Sequence, residues 1–411
     1  MKPRRYQLRK EAIGVALRHP WIFRDHLSSA ASVFHDGDLL RLVDGGNRVI
    51  GYGFYEARGA IAIRMLRRGP VPPDAAWLCG QLAAAVARRA ELATRTDAIR
   101  LVHGESDGLP AVVVDRFADT LVVTSYAAGA DRIARYAAHA LPAGPIVGPA
   151  HHVVLRPAHL RQAPEPNRSM AVHRDAEIGS PTRRGSPVPG PAEPARVLRG
   201  SPPAPVHITE AGMSLEVDLA TGQKTGTYLD LRGLRREVAV SPLTGARVLN
   251  LFAYSGMLGR AAELAGAAAI VQVDGSERAL AFAAAHHVDD PAKHAFVTAD
   301  VFAWLPTYTA EPFDLVIVDP PTMTSKAAQV PQVLAAYRKL YRAAARHVRP
   351  GGVLVAACCT SRIERSVFHQ TVRAALGEPF TLHHEILPEP DHPVGFPQAD
   401  YLKIGWWIRS P

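Results

Sequence analysis

The chain has 411 residues, room for two or three domains, with 47% hydrophobic residues and a formal net charge of +9. No apolar run approaches the roughly twenty residues needed to cross a bilayer, and the basic start Met1-Lys2-Pro3-Arg4-Arg5 leads into YQLRKEAIG, so neither a span nor a signal peptide is expected. Three cysteines, two of them adjacent (Cys358, Cys359), exclude a disulfide framework and lack zinc spacing, which points to a reducing, cytoplasmic setting.

The first segment, to about Pro73, reads as small and mostly β. Asp36-Gly37 turns into a strand from Asp38 to Val43, Asp44-Gly45-Gly46-Asn47 makes a hairpin turn, and Val49 to Tyr55 and Ile61 to Met65 give two more strands. Residues 1–70 hold 13 Lys/Arg against 6 Asp/Glu, which fits either a surface for a polyanion or a merely soluble basic face. Ala75 to Thr94 reads as one alanine-rich amphipathic helix with Trp77, Leu78 and Leu82 on its apolar side. Strands from Ile99 to Val102, Ala111 to Asp115 and Thr120 to Tyr126 complete a small α/β segment over 74–155. Residues 156–205 then hold 11 of the 34 prolines with repeated Ser, Gly and Arg, and no hydrophobic period survives. That stretch reads as a linker.

Ile208 to Leu219 reads as a strand pair. The stretch Gly222-Gln223-Lys224-Thr225-Gly226 is too glycine-rich for a strand interior, and Thr227 to Glu237 begins a helix. A phosphate-loop reading fails, because the first glycine is missing and no suitable parallel strand precedes it. The stretch that organises residues 206–411 is Arg247 to Asp274. Val248, Leu249 and Leu251 form a strand broken at Tyr254-Ser255-Gly256, a helical pattern through Leu258 and Leu264 stops at Gly266, and Ala269 to Val273 ends on Asp274. Strand, glycine turn, helix, strand and acid make the opening βαβ unit of a doubly wound sheet. Gly256 would let the backbone approach a ligand, and Asp274 could accept from a ribose diol. A helix from Ser276 to Val288, with Ser276 as N-cap, leads to a strand from Ala295 to Ala299 ending on Asp300. The strand from Phe313 to Val318 ends in Asp319-Pro320-Pro321, so three strands deliver an Asp at their carboxyl ends, where open α/β sheets bind ligands. A long helix from Ala327 to Val348, with Tyr337, Leu340 and Tyr341 on one side, is expected to end at Pro350-Gly351-Gly352. Val353 to Ala357 then runs as a strand into Cys358-Cys359-Thr360-Ser361. A helix from Arg362 to Leu376 and strands from Thr381 to Leu387 and Tyr401 to Arg409 close the chain.

The turn, the three acids and Asp-Pro-Pro resemble the class I S-adenosylmethionine (SAM) methyltransferases. Arg18-His19-Pro20-Trp21-Ile22-Phe23, with Gly37-Asp38 and Gly51-Tyr52-Gly53, resembles the PUA domain, an RNA-binding module. That module leads the bacterial 23S ribosomal RNA cytosine-C5 methyltransferases of the RlmI type. The string ESDGLPAVVVDRF, the signature QKTGTYLDLR, and Asp391-His392-Pro393-Val394 with Tyr401-Leu402-Lys403 match the same family, over about 1–135 and 197–411. The resemblance implies four parts: a PUA-like domain over 1–73, a small α/β middle domain over 74–155, the 156–205 linker, and a Rossmann-like doubly wound SAM methyltransferase domain over 206–411. It implies SAM as cofactor, held by Lys224, Thr225, Tyr228, Phe252, Tyr254, Ser255, Gly256, Asp274, Ser276, Asp300, Val301 and Asp319. Ribosomal RNA is the implied partner, with no membrane, and a homodimer is left open. Trp21 and Phe23 are either core anchors of the barrel or platforms for stacked bases, and His392 reads as structural rather than as a base.

Carbon 5 of cytosine is too weak a nucleophile to take the SAM methyl unaided. A thiolate first adds to C6, which makes C5 nucleophilic. The resemblance puts that nucleophile at Cys359, beside Asp319 on the base edge, while strand alternation sends Cys358 to the other face. Taken alone, both cysteines read as small core hydrophobes. Thr322 stands where many relatives have Lys, and Cys358 and Ala357 replace Ser and Phe. Two other readings remain: a SAM enzyme of the same architecture methylating a base nitrogen or a small molecule, and an RNA-binding protein with a decayed catalytic domain.

Overall fold

The computed structural model describes residues 2–28, 31, 33–141, 150–157, 195–220, 222–309, 311–324 and 326–411. The chain falls into two compact units. One comprises Met1–Leu82, Gly108–Val114 and Leu121–Pro202. The other comprises Ala83–Asp107, Asp115–Thr120 and Pro203–Pro411.

The chain opens with β1 (Arg4–Gln7), α1 (Lys10–Arg18), β2 (Trp21–Phe23), β3 (Leu39–Val43), β4 (Val49–Tyr55) and β5 (Ile61–Arg68). The strands form one sheet in the order β1-β3-β4-β5-β2, with β1 parallel to β3. Helix α1, which the β-rich reading missed, sends Ala12 and Ala16 at i and i+4 into the core. The Gly-Tyr-Gly of β4 has a steric cause, since a Cβ at Gly53 would meet Arg64 O at 2.5 Å. Trp21 and Phe23 are not the core anchors. In three-residue β2 only the central Ile22 points inward and is fully buried, while Trp21 and Phe23 pack edge to face at 6.3 Å on the half-exposed side.

The predicted helix from Ala75 to Thr94 stops early: α2 spans Ala75–Ala87, and a separate 3-10 turn covers Leu92–Thr94. Next come β6 (Ala98–His103), β7 (Val112–Phe117), β8 (Thr120–Ser125), α3 (Asp131–Ala140), β9 (His152–Pro157) and β10 (Arg196–Arg199), the five strands ordered β10-β9-β8-β7-β6. The composition of 156–205 hid the two strands at its flanks, and its residues 158–194 lie outside the described residues.

Residues 203–411 begin with a hairpin, β11 (Val206–Glu210) and β12 (Met213–Val217), followed by α4 (Arg232–Val240). Then come β13 (Arg247–Leu251), α5 (Met257–Leu264), β14 (Ala269–Asp274), α6 (Glu277–His286), β15 (His294–Thr298), α7 (Val301–Trp304), β16 (Phe313–Val318) and α8 (Val330–Ala345). The chain closes with β17 (Val348–Cys358), α9 (Arg365–Leu376), β18 (Phe380–Ile386) and β19 (Lys403–Arg409). The sheet runs β15-β14-β13-β16-β17-β19-β18, parallel through β17 and antiparallel over β19 and β18. Strand order reverses between β13 and β16, the switch point of a doubly wound sheet. Tyr337, Leu340 and Tyr341 of α8 and Phe368 of α9 pack with Leu249, Val316, Val318 and Leu354 in its core.

A further boundary departs from the sequence reading. Pro350-Gly351-Gly352 does not end a helix but lies inside β17, which starts at Val348. The register against β16 shifts between Phe313 and Leu315, and Gly351 takes φ +74° to absorb the bulge.

Candidate active site

The carboxyl ends of β13, β14, β16 and β17 collect the chemistry. After β13 the backbone turns sharply, with Phe252 at φ +60°, Tyr254 at +48° and Gly256 at +74°. Left-handed non-glycine residues cost of order 1–3 kcal/mol each and persist only where their surroundings hold them. Asp274, ending β14, supplies part of the hold: its carboxylate accepts from Tyr254 N at 2.9 Å and Ser276 N at 2.8 Å. His287 supplies more. Its Nδ1–H donates to Ser255 O at 2.5 Å and its Nε2 accepts from Glu216 N at 3.0 Å, tying the turn to β12. Burial pushes the His287 imidazole down to about 4, so it works as a neutral ring. The close approach at Gly256 is to protein: a Cβ there would meet Ala283 Cβ at 2.6 Å and Gln272 Oε1 at 3.0 Å. Packing by itself therefore requires a glycine at this position of the turn.

Ser276 caps α6 as expected, accepting from Ala279 N at 3.3 Å. Asp300 caps α7 through Phe302 N at 2.9 Å, and Val301 behind it is buried. Phe252 and Phe302 meet edge to face at 5.7 Å. The two acids thus hold their own turns, and a carboxylate with about four acceptor positions keeps capacity for a further hydroxyl or amine.

The Q-K-T-G signature meets the turn directly. Gln223 N donates to Tyr254 Oη at 2.7 Å, Tyr228 Oη donates to Gln223 Oε1 at 2.5 Å, and the two tyrosine rings pack edge to face at 5.5 Å. Lys224 is exposed at φ +55°, with Nζ 6.0 Å from the Tyr228 ring centre. Thr225 is buried and spends its hydroxyl on Asp115 at 2.5 Å. Beside the turn a cleft is lined by Asp218, Gln223, Tyr254, Ser255, Ser276 and Arg278. The donor set suits a ribosyl methionine derivative: oriented backbone N–H groups at the start of α5, acids at two neighbouring strand ends, and aromatic rings from Phe252 and Tyr228.

At the ends of β16 and β17, Asp319-Pro320 faces Cys359. Cys359 Sγ lies 3.6 Å from Pro320 O and 3.2 Å from Thr322 Oγ1, and Thr322 also donates to Cys359 O at 3.2 Å. Thr322, a departure from the family pattern, is therefore the side chain on the sulfur. Cys358 points the other way, fully buried in the sheet core. Burial, together with the Asp319 charge, pushes the Cys359 thiol up to about 12. Burial and the nearby Asp230 charge push the Asp319 carboxyl up to about 7.

Some participants escaped the sequence reading. Lys403 is fully buried, and its Nζ donates to Thr360 O at 2.8 Å and Tyr401 O at 3.2 Å, clamping the segment after Cys359. Nothing in a Y-L-K string announces a buried ammonium. Asp230 lies within the signature QKTGTYLDLR and accepts from Tyr401 Oη at 2.7 Å. His392 is buried against Asp391 at 2.9 Å, and Asp391 also takes Arg232 at 3.0 Å, an arrangement that suits a structural residue rather than a base.

Comparison with known proteins places the chain in a family. The family model described as S-adenosylmethionine-dependent methyltransferase matches residues 190–402, and one described as a PUA-like domain matches residues 9–68. A ribosomal RNA large subunit methyltransferase of Deinococcus radiodurans is 33% identical, covering 94% of this chain and 92% of the relative. Ribosomal RNA large subunit methyltransferase I of Yersinia pseudotuberculosis is 30% identical, covering 94% of each chain. Among solved structures, a protein of Streptococcus mutans described as a SAM-dependent methyltransferase superposes with a TM-score of 0.79 at 20% identity, covering 98% of this chain and all of that one. A methyltransferase structure complexed with SAH gives 0.78, again at 20% identity with 98% and 100% covered. The chain belongs to the S-adenosylmethionine-dependent methyltransferase family and carries an N-terminal PUA-like domain.

Proposed function

We propose that this protein methylates carbon 5 of a cytosine in large-subunit ribosomal RNA, with Cys359 as nucleophile and Asp319 on the base edge. The observation that carries the reading is the pairing at two adjacent strand ends. Cys359 Sγ sits over the Asp-Pro-Pro turn at 3.6 Å from Pro320 O, while its neighbour Cys358 is sealed in the core. A thiol in that position is what C5 chemistry needs and nitrogen methylation does not. The large-subunit RNA substrate rests on the names of the relatives from Deinococcus and Yersinia.

SAM, when bound, supplies the electrophilic methyl group. Lys224, Tyr228, the Phe252–Gly256 turn, Asp274, Ser276, Asp300 and Val301 would hold it. Cys359 gives up its thiol proton to solvent water, its sulfur bonds to C6, and N3 draws on the O–H of Asp319 as charge develops on the ring. After methyl transfer the C5 proton leaves to a base and the sulfur–C6 bond breaks, which returns the thiolate. Thr322 steers the sulfur by its hydroxyl, and Lys403 fixes the Cys359–Thr360 segment through Thr360 O.

The test is RNA carrying 5-fluorocytosine at the target, because fluorine blocks the proton removal that frees the enzyme. The native protein should form a stable adduct and Cys359→Ala none, with SAM binding intact. Cys358→Ala should keep most of its turnover. Turnover by Cys359→Ala without any adduct would instead establish methylation of a base nitrogen or a small molecule.

A further inference from the structure

Two hydrogens hold Cys359 in its thiol form. The S–H donates to Pro320 O at 3.6 Å. Thr322 Oγ1 stands 3.2 Å from the sulfur and 3.2 Å from Cys359 O, and it donates to that carbonyl. A hydroxyl carries one hydrogen and two lone pairs, so Thr322 cannot donate to the carbonyl and the sulfur at once. Ionisation of the thiol upsets this arrangement. Pro320 O would then face a thiolate with no hydrogen between them, and neither Pro320 nor Pro321 carries an N–H to supply one. The Thr322 hydroxyl is already at contact distance. A rotation about its C–O bond turns the hydrogen from Cys359 O to the sulfur.

Both sides of the contact are held from behind. Thr360, 2% exposed, donates from Oγ1 to Thr324 O at 3.1 Å, and its own carbonyl accepts from Lys403 Nζ at 2.8 Å. Thr324 Oγ1 in turn donates to Gln329 Oε1 at 2.8 Å and accepts from Lys326 N at 2.9 Å. The hydroxyl can therefore turn while the two segments stay in place. Burial, Asp319 and Cys358 oppose ionisation of Cys359, and Lys224 favours it. The other titratable groups that feel the sulfur are the Lys403 ammonium and the phenols of Tyr228, Tyr337, Tyr341 and Tyr401, which burial pushes above their ordinary range.

We propose that the Thr322 hydroxyl is a two-position donor that stabilises the Cys359 thiolate: it bonds to Cys359 O while the sulfur holds its proton, and turns to the sulfur when that proton leaves. This rests on the reading of Cys359 as nucleophile and goes beyond it by assigning a group that steadies the attacking anion. The S–H bond breaks and its proton passes to water. The Thr322 O–H bond stays intact throughout and only changes acceptor. Once sulfur bonds to C6 it is a weakly accepting thioether, so the hydrogen returns to Cys359 O. Elimination of the thiolate runs the same exchange in reverse.

The experiment measures alkylation of Cys359 by iodoacetamide in the full-length protein, read by peptide mass spectrometry so that the exposed Cys79 does not count. Below its midpoint a thiol reacts in proportion to its thiolate fraction. Thr322→Val keeps the side-chain shape and removes the hydroxyl. Between about pH 7 and 9 its rate should fall about tenfold, the low end for a hydrogen bond to a charged group because Thr322 is exposed. Adduct formation with RNA carrying 5-fluorocytosine should slow by the same factor, with the Kd for SAM unchanged. Thr322→Ser should restore both rates, and thermal melting confirms that both variants fold. An alkylation rate in Thr322→Val equal to the native one overturns the proposal, as does a Thr322→Ser rate as low as that of Val. A rate that falls in Val and returns in Ser, in a protein whose native form makes no 5-fluorocytosine adduct, supports the hydroxyl's role on the sulfur and overturns the cytosine-C5 reading instead.

Discussion

Replacing Asp274 by Ala removes one carboxylate that does two jobs. In the structure its oxygens accept from Tyr254 N at 2.9 Å and Ser276 N at 2.8 Å, so the substitution orphans two backbone donors in a turn with three left-handed residues. An unsatisfied donor costs about 1–3 kcal/mol when buried. Asp274 is half-buried, so water can replace part of the loss and the low end applies to stability. For SAM the same change also removes the acceptor proposed for the ribose diol, and the ligand must re-form the turn. Together these give about 1.5–3 kcal/mol, or roughly a 10- to 150-fold weaker Kd. Asp274→Asn separates the parts, because an amide can accept from one of the two N–H groups while its own NH2 opposes the other. It should fall between native and Ala. The assay is titration calorimetry with SAM, paired with thermal melting of the free protein. Undiminished SAM affinity in Asp274→Ala, at unchanged Tm, would refute the argument for both jobs.

Three further outcomes are expected. His287 is neutral when folded, with its value near 4 against about 6.5 unfolded, so its contribution is complete above pH 6.5 and is lost as pH falls toward 4. That loss totals about 3 kcal/mol, and urea unfolding of His287→Gln should show a correspondingly shallower decline between pH 7 and 4; parallel curves for variant and native would be the contrary result. Lys403→Met leaves Thr360 O and Tyr401 O without their donor and should cost about 1–3 kcal/mol in chemical denaturation, with altered alkylation of Cys359 by iodoacetamide. Neutralising the exposed Arg9, Lys10 and Arg58 together as Gln should weaken RNA binding and flatten its salt dependence, by a slope of about 0.7–0.9 for each phosphate that is no longer neutralised. A salt slope equal to that of the native chain would free the PUA-like segment from the RNA-reading role.

The doubly wound sheet was legible in the sequence because its signals are local. Apolar runs bounded by Gly256, Asp274, Asp300 and Asp-Pro-Pro mark strand ends by composition alone, and β13, β14 and β16 lie within a residue or so of those runs. The opposite faces of Cys358 and Cys359 also followed from the two-residue period of a strand. Helix α1 was missed because nine residues with two alanines on the inner face leave little hydrophobic signal. Strands β9 and β10 were hidden by the proline-rich composition that begins and ends beside them. The role of Pro350-Gly351-Gly352 turned on a bulge, and a bulge exists only relative to the partner strand.

At the site the division is sharper. Residue type and spacing marked Asp274 and Asp319, since each sits where a strand stops, whereas Cys359 was marked by the family resemblance. What each residue touches was decided only by packing. Gly256 answers to Ala283 and Gln272, Thr225 to Asp115, Thr322 to the sulfur of Cys359, and Asp230 to Tyr401, 171 positions away. Those are distances across the fold, and they exist only once β16, β17 and β19 lie side by side.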